Sequence, residues 1–176
     1  MSPSQFSFPV QHRQGQAKEL DFLNKFQSEI VRLDGRKHDF VTRGVFASPP
    51  RPLTIELKSD SYQIDHPEEE GFTKNFFIER YSDAKRQTPG GPWQALLNGT
   101  DLFAYWFYRG DNLFLANVPK LVKEVSTLVD QLDLPLININ NQRYITQGYR
   151  VPRGLLDSFI SVPSGTTLAK CVPELF

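Results

Sequence analysis

Residues 53–58 read Leu-Thr-Ile-Glu-Leu-Lys, and this stretch decides the predicted fold. Apolar and polar residues alternate through it, which indicates a β-strand because side chains on a strand point to opposite faces in turn. The apolar face would carry Leu53, Ile55 and Leu57. The other face would carry Glu56 and Lys58, and charges on a core strand are costly unless they are paired, solvated or bound to a metal ion. These two charged residues are therefore candidates for a functional site.

An acidic residue two positions before a lysine is a weak signal by itself. In a chain with this content of acidic residues and lysines, chance alone gives about one such triplet. The sequence holds Glu56-Leu57-Lys58 and also Asp83-Ala84-Lys85. The second triplet lies in a polar stretch just before the Pro89-Gly90-Gly91 turn, whereas the first lies on a predicted core strand. The context therefore favours Glu56 and Lys58.

The segment before this strand supplies a further carboxylate. Residues 39–46 predict another strand, and the cluster Ser48-Pro49-Pro50-Arg51-Pro52 separates the two. If the strands pair as a hairpin, their outer ends meet, and Asp39 lies near Glu56 and Lys58. Two carboxylates at that place could share Mg²⁺ or Mn²⁺, which prefer oxygen ligands. Such an ion can activate a water molecule and stabilise charge on a phosphate, and a nearby ammonium group can position that water.

The rest of the chain predicts a layered α/β domain. Apolar residues at steps of three to four from Leu20 to Leu33 predict an amphipathic helix that ends near Gly35. Residues 1–16 are rich in Gln, Ser and Pro and are predicted to form a flexible arm. The later predicted elements are a strand over 75–81, a short helix over 93–98, a buried aromatic strand over 102–108, its partner over 113–116, a helix over 118–129 and one or two strands within 136–150. We therefore predict a single domain over residues 17–176, with a mixed central β-sheet flanked by helices.

An amphipathic helix is followed by Asp39 and then, after a hairpin, by Glu56-Leu57-Lys58. This pattern resembles the PD-(D/E)xK nuclease superfamily, and the resemblance covers residues 15–110. The similarity is to small phage-type or resolvase-like members. It implies a restriction-endonuclease-like core, in which a helix, three strands, a helix and a strand follow one another. It also implies that Asp39 and Glu56 bind Mg²⁺, with Mn²⁺ as a substitute, and that Lys58 orients the attacking water or stabilises charge. His38 precedes Asp39, where the superfamily pattern has Pro.

The resemblance implies two further acidic positions. Several members carry an acidic metal ligand on the first helix, and Glu19 is similar in placement. Glu29 is the alternative, because it also borders the apolar stripe of the predicted helix. Glu79, at the end of Asn75-Phe76-Phe77-Ile78-Glu79, is expected to be an additional ligand or to contact the ligands. Asp34 is an alternative to Asp39, although it lies at a predicted helix end rather than at the start of a strand.

Basic residues flank several of the predicted strands and loops. We expect phosphate contacts from Arg80, Lys85, Arg86 and Arg150, with Arg143 and Arg153 as further candidates. For any one of them, scattered surface charge is an equally good explanation. The chain has 20 Lys plus Arg and 20 Asp plus Glu, so its net charge of zero gives no general attraction for nucleic acid. Binding to DNA would have to come from a local basic strip.

Composition excludes several other classes of protein. No apolar stretch is long enough for a membrane-spanning helix. Cys171 is the only cysteine, which excludes an intramolecular disulfide and a cysteine zinc site and favours the cytoplasm, or the host cytoplasm if the protein is viral. The three histidines lack metal-binding spacing, and neither a glycine-rich phosphate loop nor a nucleophile elbow occurs in the sequence.

The sequence thus predicts a metal-dependent deoxyribonuclease that hydrolyses the DNA backbone with an activated water and without a covalent intermediate. The resemblance is also compatible with a homodimer. Two other hypotheses stay open. The chain could be a non-catalytic module that binds nucleic acid or protein and retains the nuclease fold, or it could be an unrelated α+β protein in which the acidic-x-Lys triplet is accidental.

Overall fold

The fold is described from a computed structural model. It covers residues 8–33, 37–44, 51–60, 74–141 and 143–176, with side chains from Gly15 onward except that of Arg109. The elements in chain order are α1 (Phe8–Lys25), β1 (Ile30–Arg32), β2 (Phe40–Thr42), β3 (Thr54–Asp60), β4 (Asn75–Asp83), β5 (Thr88–Pro89), α2 (Gly91–Asn98), β6 (Leu102–Phe107), β7 (Asn112–Asn117), α3 (Val118–Leu132), β8 (Ile137–Asn140), β9 (Ile145–Pro152), β10 (Phe159–Val162) and α4 (Leu168–Cys171). None of the described helices is long and apolar enough to cross a membrane.

The central sheet is mixed and has the strand order β1-β2-β3-β6-β7-β10. β3 and β6 run parallel, with Glu56 opposite Phe103 and Lys58 opposite Tyr105. The other neighbouring strands of this sheet run antiparallel. A parallel pair needs a crossover connection, and the segment between β3 and β6 includes helix α2, whose first turn carries Pro92 and whose end is capped by Gly99. The prediction of a mixed α/β domain around a mixed central sheet is confirmed.

A second, antiparallel sheet has the strand order β5-β4-β9-β8. β4 and β9 form its long central pair, and the register between them shifts between Glu79 and Tyr81. Such a β-bulge bends a strand and changes the direction of a side chain. Gly148 lies opposite Glu79 on β9, and a Cβ at position 148 would lie 2.6 Å from the Ile78 carbonyl oxygen. The close approach of the two backbones at the bulge therefore depends on glycine.

Strand β6 divides the core into two clusters, because its side chains alternate between the two faces of the central sheet. Leu102, Ala104 and Trp106 pack in a cluster with Phe22 and Phe26 of α1, Phe40 and Ile55. Phe103, Tyr105 and Phe107 pack on the other side with Phe76 and Ile78 of β4 and with the apolar face of α3. All six β6 residues are buried, so the prediction of a buried aromatic strand is confirmed.

The first helix differs from the prediction. It was expected to run from about Ala17 to Gly35, yet it begins at Phe8 and ends at Lys25, so residues 8–16, assigned above to a flexible arm, are helical. Residues 26–29 form a turn, and Ile30–Arg32 pairs with β2 as a strand. Spacing alone could not locate this end, because Phe26 and Ile30 are buried whether the chain continues as a helix or turns into the sheet. Residues 1–7 and Gly35 lie outside the described residues.

The second predicted strand is shorter than expected. It was placed at residues 39–46, whereas β2 spans Phe40–Thr42. After Thr42 the backbone turns, and the Thr42 hydroxyl donates to the Gly44 carbonyl and accepts from the Leu53 N–H. Residues 45–46 lie outside the described residues.

Gly148→Ala should destabilise the protein by about 1–3 kcal/mol, because the added methyl group must push apart two paired strands. Gly154→Ala is the matched control, since a Cβ at position 154 meets no atom within 4 Å. Urea denaturation at pH 7 would compare the free energies of unfolding. Equal stability of the two variants would contradict the close packing at the bulge.

Candidate active site

Glu56 and Lys58 project from the same face of β3, as the alternation predicts. The side chain of Ile55 is fully buried on the opposite face, where Leu57 also packs against the first core cluster. Glu56 and Lys58 are half-buried, and they share their face of the sheet with Phe103 and Tyr105. The charged pair therefore lies on a face that is shielded from water only in part.

Asp39 lies beside these residues at the start of β2. Its backbone N–H donates to the Ile55 carbonyl (3.1 Å), and its Oδ2 accepts from the Leu57 N–H (2.8 Å). The next residue, Phe40, pairs with Ile55, and the charge of Asp39 acts on Glu56. The hairpin thus brings Asp39 and Glu56 together.

The structure separates the roles of the two helix candidates, Glu19 and Glu29. Glu19 lies on α1, accepts a hydrogen bond from Arg32 (2.8 Å) and acts electrostatically on both Asp39 and Glu56. Glu29 lies in the turn after α1, and its two carboxylate oxygens accept from the Leu168 and Ala169 N–H groups, each at 3.0 Å. Glu19 therefore belongs to the acidic group, and Glu29 ties the C-terminal segment to the core. Asp34, the other alternative, lies outside the described residues.

Glu79 reaches the same group from the second sheet. Its Oε2 lies 3.8 Å from the Lys58 Nζ, and its charge acts on Glu56. Glycines enclose it: a Cβ at position 90 would lie 2.7 Å from the Glu79 Cγ, and one at position 91 would lie 2.8 Å from the Glu79 carbonyl oxygen. Gly91 also has a φ of +46°, a conformation that glycine adopts readily. The space for the Glu79 side chain is thus built into the fold.

The carboxyl groups in this cluster repel one another. Burial raises the pKa of Glu56 from 4.5 to about 8, and the charges of Asp39, Glu19 and Glu79 add to the rise. Burial also raises the pKa of Asp39, with Glu19 adding to it, although the hydrogen bond from Leu57 and the charge of Arg32 oppose the shift. At neutral pH Glu56 is therefore mostly protonated, and any cation that binds here has to displace that proton.

The carboxylates do not already form a closed set of metal ligands. Across the described part of the chain, no three His, Cys, Asp or Glu side chains are grouped so that they could hold a metal ion. Each of three acids faces a separate partner: Glu19 binds Arg32, Asp39 accepts from Leu57, and Glu79 lies near Lys58. The site is thus an acidic cluster with a lysine, in which partners other than a metal ion hold the side chains.

A buried tyrosine that the sequence did not single out links the two sheets at this site. The Tyr105 hydroxyl donates to the Asp60 carboxylate (2.7 Å) and accepts from the Phe77 N–H (3.1 Å). It thereby joins β3, which carries Glu56 and Lys58, to β4, which carries Glu79. Burial raises the pKa of Tyr105, so its hydroxyl stays protonated and remains a donor. The sequence did hold one signal for this role, because the hydroxyl group of a tyrosine within a buried strand needs a hydrogen-bond partner.

The predicted phosphate-binding residues lie in the second sheet, in three places. The Arg80 guanidinium stacks on the rings of Tyr81 (4.8 Å) and Trp93 (4.9 Å). Arg150 lies on β9 opposite Phe77, and its side chain is exposed. Lys85 and Arg86 follow β4 in the turn to β5.

Other residues that the sequence raised have local roles. The His38 Nδ1 lies 2.9 Å from the Thr100 hydroxyl, next to Asp39 in the chain. Cys171 is buried, and burial raises the pKa of its thiol, which disfavours the reactive thiolate. In Asp83-Ala84-Lys85, the Asp83 Oδ1 accepts from the backbone N–H groups of Lys85 and Arg86, so that triplet forms a turn rather than part of the cluster.

Comparisons with models of protein families, with curated proteins and with solved structures found no match.

The raised pKa of Glu56 predicts a pH-dependent stability. Between about pH 4.5 and pH 8 the folded chain keeps a proton that the unfolded chain has lost, so Glu56 makes the protein less stable as pH rises through this window. Glu56→Gln, which cannot ionise, should match the wild type at pH 4 and exceed its stability by about 2 kcal/mol at pH 8. The full shift in the pKa of Glu56 would correspond to a larger difference in stability, but the Glu56 side chain retains some contact with water, which weakens the effect.

Urea denaturation in EDTA at both pH values measures this difference. Asp130→Asn, on the exposed face of α3, is the control and should change stability little at either pH. The interpretation of the cluster would be wrong if Glu56→Gln and the wild type showed the same change in stability between pH 4 and pH 8.

Proposed function

We propose that the chain is a metal-dependent nuclease that hydrolyses phosphodiester bonds in DNA. The observation that carries this proposal is the convergence on Glu56 of three other carboxylates, one each from α1, the start of β2 and β4, with Lys58 on the same strand. A protein gains no stability from burying like charges together. Such an arrangement is typical of sites whose electrostatics serve a bound cation or a reaction.

The order of elements supports a restriction-endonuclease-like core. α1, β1, β2 and β3 are followed by α2 and β6, which is the order helix, three strands, helix, strand that the resemblance implies. β4 and β5 stand between β3 and α2 as an addition, and the addition supplies Glu79. Glu56 and Lys58 lie on β3, and Asp39, just before β2, accepts from the Leu57 N–H between them.

The chemistry of the donor atoms suits a hard divalent cation, although the described side chains are not grouped around one in their present contacts. Asp39, Glu56 and Glu19 would hold Mg²⁺, or Mn²⁺ in its place, because carboxylate oxygens are the ligands that these ions prefer. Burial and the neighbouring acids raise the pKa of Glu56, and the positive charge of a bound ion would oppose both effects. When bound, such an ion lowers the pKa of a coordinated water and stabilises charge on the phosphate. Glu19 would have to exchange Arg32 for the ion, since its carboxylate is bound to that guanidinium.

The side chains around the acids have supporting roles in this proposal. The Leu57 N–H favours the ionised form of Asp39 and fixes its direction. Lys58 supplies a positive charge that can position a water molecule or stabilise charge on the scissile phosphate. Glu79 holds the Lys58 ammonium from the opposite sheet (3.8 Å). Tyr105 keeps β3 and β4 in place by binding Asp60 and the Phe77 backbone.

A non-catalytic binding module is the second candidate. It is favoured by the separate partners of Glu19, Asp39 and Glu79, which leave no preformed metal-binding group among the described residues. In that case the acids and Lys58 would be an internal network of charges. This candidate predicts that Mg²⁺ has no effect on DNA, and it predicts ordinary folding when Lys58 is removed.

The test is cleavage of a supercoiled plasmid with Mg²⁺, with Mn²⁺ and with EDTA. Lys58→Ala, Asp39→Asn and Glu19→Gln should each lower the rate by about 100-fold or more, because the first removes a charge at the reacting phosphate and the other two remove a ligand of the ion. Lys123→Ala, on the exposed face of α3, and Glu29→Gln, at the C-terminal segment, should retain the wild-type rate within about twofold. Glu19→Gln and Glu29→Gln form a matched pair, because the sequence alone could not decide which of these two glutamates belongs to the site.

Cleavage that persists in Lys58→Ala would remove the proposed site, and so would cleavage that is independent of divalent ions. A folded wild-type protein with no cleavage under any of these conditions would favour the binding module. Circular dichroism of every variant separates loss of activity from loss of fold.

A further inference from the structure

A basic cleft lies at one end of the second sheet, away from the acidic cluster. Two turns form it, the one between β4 and β5 and the one between β8 and β9. We call it the tip cleft, and it is lined by Asp83, Lys85, Arg86, Asn141, Arg143 and Tyr144. Nothing in the proposed chemistry uses this cleft.

Hydrogen bonds hold the two turns together. The Ala84 N–H donates to the Ile145 carbonyl (2.8 Å), which joins one turn to the other. The Asn141 N–H donates to the Tyr144 carbonyl (2.9 Å), and the Asn141 amide group donates to the Thr146 hydroxyl (2.9 Å). These hydrogen bonds fix the two hairpin ends relative to each other, and the cleft is therefore a defined part of the fold.

The cleft is strongly basic for a chain whose total charge is zero. It contains three cations, Lys85, Arg86 and Arg143, and one carboxylate, Asp83. One oxygen of Asp83 accepts from the Lys85 and Arg86 N–H groups (3.1 and 3.2 Å), so that acid shapes the turn. Its other oxygen lies 3.7 Å from the Arg86 Nε, but the Arg86 side chain is still 82% exposed. An arginine in that position can bind an anion without losing buried contacts.

Strand β4 links the cleft to the acidic cluster. Glu79 lies within β4, and Asp83 ends the same strand four residues later. At about 3.3 Å per residue, the cleft begins about 13 Å from Glu79. A DNA strand that runs along β4 from the acidic cluster would cover this distance within a few nucleotides. A strand whose scissile phosphate lay at the acidic cluster would therefore reach the tip cleft.

We propose that the tip cleft binds the phosphodiester backbone of the DNA strand, a few nucleotides from the phosphate at the acidic cluster. The proposal rests on the nuclease function proposed above. The cleft supplies part of the affinity that the neutral chain otherwise lacks, because each contact between a cation and a phosphate releases counterions. Tyr144 lies in the same cleft and offers a ring for a base when the strand is single.

The test measures DNA binding without cleavage. Fluorescence anisotropy in EDTA would follow a labelled 16-nucleotide single strand and the corresponding duplex, over a series of salt concentrations. The variant Lys85→Ala/Arg86→Ala should bind about tenfold more weakly in at least one of the two arms. The slope of log K against log salt should become shallower by about 1.4 for the single strand or about 1.8 for the duplex.

A matched control removes the same number of positive charges elsewhere. Lys123→Ala/Lys170→Ala replaces two exposed lysines on α3 and α4 and should leave affinity and slope unchanged. The cleft variant should also bind Mg²⁺ as the wild type does and, in the cleavage assay, show a raised KM with little change in kcat.

The binding arm and the cleavage arm can fail separately. If the wild type binds DNA but never cleaves it, while the cleft variant binds more weakly, the cleft is a DNA-binding site and only the nuclease proposal, with the placement of the cleft relative to a scissile phosphate, falls. Equal affinity and equal slope for the cleft variant and its control, in both the single-strand and duplex arms, would overturn the cleft proposal whatever the cleavage assay shows.

Discussion

The hydrogen bond from the Leu57 N–H to the Asp39 carboxylate is the contact on which the rest of the site depends. It fastens the start of β2 to the middle of β3 at 2.8 Å and sets the Asp39 carboxylate beside Glu56. Once that charge is fixed there, Glu56 cannot ionise at its ordinary pKa, because burial and the charges of Asp39, Glu19 and Glu79 all oppose it. Burial is the largest cause of the rise in the pKa of Glu56 to about 8, and the hydrogen bond from Leu57 adds to it by holding the Asp39 carboxylate in place.

The surrounding fold offsets the cost of this cluster. Two aromatic cores lie on either side of β6, and each combines side chains from several distant elements. Phe76 alone contacts four rings, those of Tyr105, Phe107, Phe114 and Phe159, with centroids 4.4–5.6 Å away. Aromatic packing of this kind is among the larger stabilising contributions in a protein core. A scaffold held in this way can carry repelling carboxylates and keep them in place.

The sequence predicts the placement of Asp39, Glu56 and Lys58 because hairpin geometry depends on local signals. Alternation along residues 53–58 sets the face of each side chain, and the proline cluster before them marks the turn. Glu19 and Glu29 could not be separated on that basis, since both border the same apolar stripe. What separates them is long-range: Glu29 accepts from Leu168 and Ala169, which lie about 140 residues further along the chain. The link from Tyr105 to Asp60 and Phe77 was missed for the same reason.

The end of the first helix and the second sheet show a different limit. Apolar spacing continues from α1 into β1, because Phe26 and Ile30 both face the first core cluster, so the pattern does not mark the turn between them. Strands were predicted near β4 and β9, but their union in a separate sheet follows from pairing between segments about 70 residues apart. The sequence also could not show where the Arg80 side chain lies, because its guanidinium stacks on rings from two separate elements, Tyr81 of β4 and Trp93 of α2.

The central claim is that the acids around Glu56 form a site for a divalent cation. Isothermal titration calorimetry with Mg²⁺ at pH 7, in two buffers with different ionisation enthalpies, tests it most directly by counting the protons released on binding. With a pKa of about 8, Glu56 is mostly protonated at pH 7, so the wild type should release close to one proton per bound ion. In Glu56→Gln that release should be nearly absent. Binding of Mg²⁺ with no proton released by the wild type, or no binding of Mg²⁺ at all, would contradict the claim.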